Sequence, residues 1–172
     1  MNNLKNNIKM DVKTVFRLMA FFLAMFAFQC CSDSDDESYI EPSLDVTPAN
    51  IAGTWMLKEW NGAELPQGTY CYVVFTRKDR TFTMFQKFDS MYARCITGVY
   101  AIDKDKNGEY IVSGVYDYQM GEWNNSYIVT DLYASGSMVW TAKDNPDDVC
   151  RYVRCDEVPD EVIKESGYKP EL

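Results

Sequence analysis

Six cysteines could do the most chemistry in this chain of 172 residues, and the complete absence of histidine restricts that chemistry most. Histidine is the commonest general base and metal ligand, so its absence also removes every Ser/His or Cys/His nucleophile pair. Zinc would have to rely on thiolates and carboxylates, and the spacing of Cys71, Cys95, Cys150 and Cys155 matches no ligand knuckle. Paired carboxylates can hydrolyse glycosides, but Asp147–Asp148 and Asp156–Glu157 fall at expected loops or strand ends, where acids are ordinarily solvated. The run "DKDKNGE" at 103–109 has the early acids of a calcium loop but lacks the distal Glu twelve positions from the first. Its Asn107-Gly108 pair reads better as a hairpin turn. The expectation is a protein that is not an enzyme and uses no metal or cofactor.

The net charge of −9 argues against nucleic acid as a partner, because binding a phosphate backbone takes clustered Lys and Arg. Residues 1–30 hold four basic residues and one acid, so the remainder carries −12. Lys5, Lys9, Lys13 and Arg17 precede an apolar run, "LMAFFLAMFAF", at 18–28. Eleven residues at about 1.5 Å rise span only about half of a roughly 30 Å hydrocarbon core, so the run is too short to cross a membrane. A basic segment followed by a short apolar one is the pattern of a secretory signal peptide, starting at Met1 or at Met10. The stretch "AFQCCSDSDDES" at 27–38 then resembles the lipoprotein signals of Bacteroidetes, in which a cysteine after the apolar run receives lipid. That resemblance implies Cys31 as the lipidation site, with Cys30 as the alternative, and an acyl anchor such as palmitate in the outer membrane. The acidic "SDSDDE" resembles the export signal to the cell surface in those bacteria; it reads equally as a solvated linker.

Outside the cytoplasm disulfides are the default for the four remaining cysteines. Cys71, Cys95 and Cys150 open three strands at one end of the expected barrel, and Cys71–Cys95 is the favoured pair, with buried free thiols as the alternative. Cys150 and Cys155 stand about 16 Å apart along one strand, beyond the roughly 7 Å reach of a bridge. Ser90 in "DSM" looks like the Asp-Ser/Thr-apolar acceptor for O-glycosylation in Bacteroides-type bacteria.

These residues need elements to place them. From Ile51 the sequence alternates short β-rich runs with turn residues, predicting strands at roughly 53–60, 70–77, 81–88, 94–102, 109–117, 126–133, 137–142 and 149–155. Connections of hairpin length force antiparallel neighbours, and closing eight strands removes the exposed edges. The tail "VPDEVIKESG" predicts one helix, with Pro159 near its start, acids in its first turn and Gly167 as its stop. The expected fold is therefore all-β, an eight-stranded antiparallel up-and-down barrel with a short C-terminal helix. Its expected organisation is a signal peptide at 1–30, an acidic linker at 31–47, the barrel with its helix at 48–167 and a tail at 168–172.

At "GTW" the chain resembles the lipocalin superfamily, whose first strand carries Gly-x-Trp. Over about 48–163 it is similar to small lipocalin-like lipoproteins of Bacteroidetes, through "IAGTWMLKEW", "VVFTRKDRTFTMF", "ITGVY", "SYIVTDLYASGSMVW" and "YVRCDEVPDEV". The resemblance implies structural roles for Gly53 and Trp55, with Arg154 stacked on the Trp55 ring at one barrel end. Half of the many aromatic residues must face inward in alternating strands. They form either a filled core or a cup at the end built from loops 61–69, 89–93, 118–125 and 143–148. The ligand-binding candidates are Trp60, Tyr72, Met84, Tyr100, Tyr116 and Trp123. Two functions follow: an anchored envelope protein binding a small apolar or glycan-derived ligand, or an interaction protein with a filled barrel and an envelope protein partner. An aromatic cavity above about 300 Å³ would favour the first.

Overall fold

The computed structural model describes residues 40–88, 90–117 and 121–169. Cys30 and Cys31, the signal segment and most of the expected linker lie outside the described residues. One compact unit begins at Glu41. It contains α1 (Pro48–Ile51), β1 (Gly53–Trp60), β2 (Ala63–Glu64), β3 (Tyr70–Phe75), β4 (Thr81–Lys87), β5 (Arg94–Lys104), β6 (Tyr110–Tyr116), β7 (Tyr127–Thr130), β8 (Ser137–Ala142), β9 (Asn145–Cys155) and α2 (Asp160–Glu165). Each long strand pairs antiparallel with its neighbour in sequence, and β9 returns to β1, so eight strands close a barrel. The two-residue β2 only extends the hairpin after β1.

Sequence periodicity explains the walls. In β3, "YCYVVF", Cys71, Val73 and Phe75 are buried inside the barrel while Tyr70, Tyr72 and Val74 face out. Aromatic and β-branched residues suit such a two-faced pleated surface. The β5–β6 hairpin turns where Asp105 Oδ1 accepts from the backbone N–H of Asn107 at 2.8 Å and of Glu109 at 2.9 Å. Gly108 supplies the positive φ of 85° that this turn requires.

Three boundaries differ from the sequence expectation by more than two residues. Residues 145–148, expected in a loop, belong to β9, because a two-residue turn at Lys143–Asp144 lets Asn145 pair with Ala142 beside a bulge. The strand expected at 126–133 is shorter: β7 ends at Thr130, where Asp131 takes a φ of 51°. The barrel unit starts before residue 48: Val46 is buried, and the Leu44 N–H donates to the Leu132 carbonyl at 2.7 Å.

One end of the barrel is shut. Thr47 caps α1, its hydroxyl accepting from the Asn50 N–H at 3.2 Å, and Pro48 occupies the first turn, where a missing N–H costs nothing. Trp55 is fully buried beneath this helix, and its Nε1–H donates to the Ile51 carbonyl at 2.7 Å. Arg154 lies 4.2 Å over the Trp55 ring and donates to the carbonyls of Ala52 and Asn50 at 2.7 and 2.8 Å. Gly53 has a φ of 118°, and a Cβ there would stand 2.5 Å from Arg154 Nη1. Both observations make glycine necessary at that position.

Helix α2 straps the outer wall. Val158 and Val162 pack on Phe85 with Tyr70, Tyr72 and Val74, and Glu165 bonds to Lys87 and to the Tyr70 hydroxyl, the latter at 2.9 Å. The Lys87 ammonium first and the Tyr70 hydroxyl second hold the Glu165 carboxyl below its ordinary 4.5. A depressed carboxyl stabilises the docked helix fully above that ordinary value, and the contribution is lost as pH falls through the folded value. Acid titration below pH 4.5 is therefore expected to loosen α2 before the barrel unfolds. NMR would show it as early loss of the Phe85–Tyr168 ring contact; retention of that contact until global unfolding would refute it.

Candidate functional site

The end opposite Trp55 is formed by the β1–β3, β4–β5, β6–β7 and β8–β9 connections, and here a cavity of about 210 Å³ enters the barrel. Inward positions of the strands build it: Leu57 and Trp60 from β1, Cys71 from β3, Met84 and Gln86 from β4, Tyr116 from β6, Tyr127 from β7, Trp140 from β8, and Asp148, Cys150 and Tyr152 from β9. Below it the barrel is filled by Phe75, Tyr100, Val112, Met138 and Trp55. The structure is thus part cup and part packed core, with a cup smaller than 300 Å³.

Trp60 stands at the rim, 41% exposed, its ring edge-on to Phe88 at 5.4 Å. Its Nε1–H donates to Asp148 Oδ1 at 2.7 Å, which ties β1 to the early part of β9. Trp123 is only 9% exposed and belongs to the interior, although it comes from the β6–β7 connection. The backbone around it forms a short ribbon with β6: Trp123 N–H to the Gly114 carbonyl and Tyr116 N–H to the Gly121 carbonyl, both 2.8 Å. Gly114 makes room for the indole, since a Cβ there would lie 2.3 Å from Trp123 Cε2. The ring packs against Phe82, Trp140 and Tyr127 at 5.0, 6.0 and 6.2 Å.

Two polar side chains in this apolar enclosure stand out. Trp123 Nε1 is buried with no hydrogen-bond partner among the described residues. Gln86 is 8% exposed and lines the cavity. Sequence reasoning did not single out Gln86; the one signal for it is a polar residue at an inward position of "TFTMFQK". The Trp123 Nε1 edge packs on Gly114, so Gln86 is the one of the two that gives the largely apolar lining a hydrogen-bonding group for an entering molecule.

Of the ligand-binding candidates, Trp60, Met84, Tyr116 and Trp123 line the cavity. Tyr72 does not: it faces outward under α2, because its parity on β3 is opposite to that of Cys71 and Val73. Tyr100 does not either; it is buried in the packed half, its hydroxyl reaching the Thr76 carbonyl at 3.3 Å and its ring 5.0 Å from Phe75. Ser90 is partly exposed in the β4–β5 turn, and its hydroxyl oxygen accepts from the Tyr92 N–H at 3.1 Å. A larger depression of about 670 Å³ lies outside the barrel near Thr81, Thr83, Thr97 and Tyr168. It is an open polar groove on the wall rather than an enclosure.

The expected Cys71–Cys95 bridge is absent, and none of Cys71, Cys95, Cys150 and Cys155 is in a disulfide. The reason is parity. Cys71 pairs with Gln86 and faces inward, whereas Cys95 pairs with Phe85 and faces outward under α2, so the wall separates the two sulfurs. Burial raises the Cys95 thiol to about 11, and burial with the nearby Asp148 charge raises Cys150 to about 12. The thiolate is the reactive form, so both are expected to react with a maleimide at pH 8 far more slowly than a free cysteine. Labelling of Cys95 or Cys150 in native protein at the rate seen in denatured protein would contradict this.

Among the described residues no group of three or more cysteines and acids gathers to hold a metal ion. Comparison with protein-family models matches residues 51–140 to the lipocalin-like domain. Comparison with curated proteins and with solved structures returned no match. The matched segment runs from the end of α1 into β8 and so includes Gly53 and Trp55 and most of the cavity wall, while Arg154 lies outside it. With more than half of its length matched, the chain belongs to the lipocalin-like domain family, whose barrel is of a ligand-binding or carrier type.

Proposed function

We propose that this chain is a lipid-anchored cell-envelope protein whose barrel holds one small ligand in the aromatic cavity at its open end. The observation that carries the binding reading is a roughly 210 Å³ aromatic cavity at the open end of the barrel, with Gln86 and Asp148 among its lining residues. A cavity of about 150 Å³ accommodates benzene, so this one suits a ligand of about one ring, an apolar compound or a single sugar-sized unit. Anchoring rests on the sequence around Cys31, with Cys30 as the alternative acceptor, and the acidic tract after it supports display on the outer face of the outer membrane.

Mass spectrometry of protein purified from its native envelope tests the binding reading. A small molecule co-purifying near one per chain is expected. Its absence, together with unchanged tryptophan emission on titration with single-ring probes, would remove the reading. Metabolic labelling with palmitate tests the anchor. Label is expected on the parent chain and not on Cys31→Ser; a labelled Cys31→Ser chain would move the acceptor to Cys30, and an unlabelled parent would remove the anchor.

A protein partner is the second reading. It is favoured by Met91 and Tyr92, 82% and 75% exposed side by side at the open end. Co-purification of an envelope protein that is lost on Met91→Asp would support it.

A further inference from the structure

The cavity is also built with a charge preference, an inference that rests on the reading that it binds a ligand at all. Among the described residues no lysine or arginine lines it, and Asp148 is the one charged residue that does. Asp148 shares its parity on β9 with Cys150 and Tyr152, so its carboxylate faces inward at the rim. The bond from Trp60 Nε1 holds Oδ1 in place, and Oδ2 makes no hydrogen bond among the described residues. The Asp148 charge is felt inside: it adds to the effect of burial in raising both the Cys150 thiol and the Tyr127 phenol.

The walls add to this. Seven aromatic residues surround the space: Trp60, Phe88, Tyr116, Trp123, Tyr127, Trp140 and Tyr152. Aromatic faces carry negative potential and attract desolvated cations most strongly at tryptophan. A net charge of −9 draws cations toward the whole molecule. A carboxylate or phosphate entering the same space would meet Asp148 with no counter-ion and lose its water for nothing. The Gln86 amide, on the cavity lining and 8% exposed, offers a carbonyl oxygen to an ammonium N–H.

We infer that the cavity selects a compact ammonium ligand, a primary or quaternary amine bearing no more than about one ring, with its nitrogen at Asp148 and its apolar part among the aromatic rings.

Three probes of nearly equal size separate the possibilities: benzylamine, which is protonated at neutral pH, benzyl alcohol and benzoate. Each is titrated into the full chain at neutral pH and low salt, with binding read from tryptophan emission and from protein NMR. The amine is expected to bind about tenfold tighter than the alcohol, with benzoate weaker than both. Asp148→Asn is expected to bring the amine down about tenfold, to near the affinity of the alcohol. Glu109→Gln, the same loss of charge in the β5–β6 turn at the closed end, is expected to leave the tenfold ratio intact. Equal binding of amine and alcohol, or benzoate as the tightest probe, would overturn the charge preference while leaving the cavity a binding site. Binding of none of the three would overturn the preference and the ligand-binding reading together. Should Asp148→Asn fail to fold, the ratio among the probes on the unchanged chain still decides.

Discussion

Trp55→Ala is expected to destabilise the barrel by about 3–5 kcal/mol, a large share of the roughly 5–15 kcal/mol that holds a domain of this size folded. The indole is fully buried under α1, so its removal leaves a void at the one place where three separate pieces of backbone meet. The Ile51 carbonyl loses its Nε1–H donor at the same time. Arg154 loses the ring beneath its guanidinium while still bound to the carbonyls of Ala52 and Asn50. Chemical denaturation measures the loss as a shift in midpoint at constant slope. Trp55→Phe separates the contributions: it keeps much of the packing and gives up the hydrogen bond and part of the cation–π contact, for an expected cost of about 1–3 kcal/mol. Equal losses in the two variants would mean that packing is not what Trp55 supplies. A Trp55→Ala chain as stable as the parent would remove the closure from the account of stability altogether.

Gly114→Ala has the second largest expected effect, and it reaches the cavity as well as the fold. The added methyl would stand 2.3 Å from Trp123 Cε2 and 2.6 Å from Nε1, closer than non-bonded atoms approach. Trp123 cannot yield easily, because Phe82, Trp140 and Tyr127 hold its other sides. Either the wall bends, at an overpacking cost of about 1–3 kcal/mol, or the indole swings out of the barrel and the cavity loses a ring. Both outcomes lower the denaturation midpoint. Expulsion of the ring would also shift tryptophan emission to longer wavelength and weaken any ligand. A Gly114→Ala chain with the stability and emission of the parent would refute the placement of Trp123 against β6.

These two glycine and tryptophan pairings differ in how far the residues themselves announce them. Gly53 and Trp55 belong to a local strand pattern, and Arg154 follows once β9 is taken as the last strand of a closed barrel. Nothing local announces that Gly114 faces Trp123. The two are nine residues apart across a turn, and the contact exists because the β6–β7 connection folds back as a ribbon with the indole turned inward. The same limit governs Tyr72 and the cysteines. Alternation in "YCYVVF" shows that neighbours face opposite sides, but which set faces inward depends on register with β1 and β4 and on α2 covering the outer wall. Cys71 and Cys95 share a barrel end and still sit on opposite faces. Asn145–Asp148 reads as a polar loop until pairing with β8 draws it into β9, which carries Asp148 to the rim beside Trp60.

The sequence by itself determined the all-β class, the antiparallel order of eight strands, the helix after Pro159 and the exclusion of histidine-based chemistry. Those properties rest on local alternation, turn residues and composition, which act over a few residues at a time. Tertiary structure alone decided that one half of the barrel is packed solid and the other half open to about 210 Å³. It alone gathered Gln86, Trp123 and Asp148 around that opening. The reason is physical: cavity size and the partners of buried polar groups depend on strand register and on side-chain volumes summed across all eight strands, and neither is encoded in any one stretch of chain.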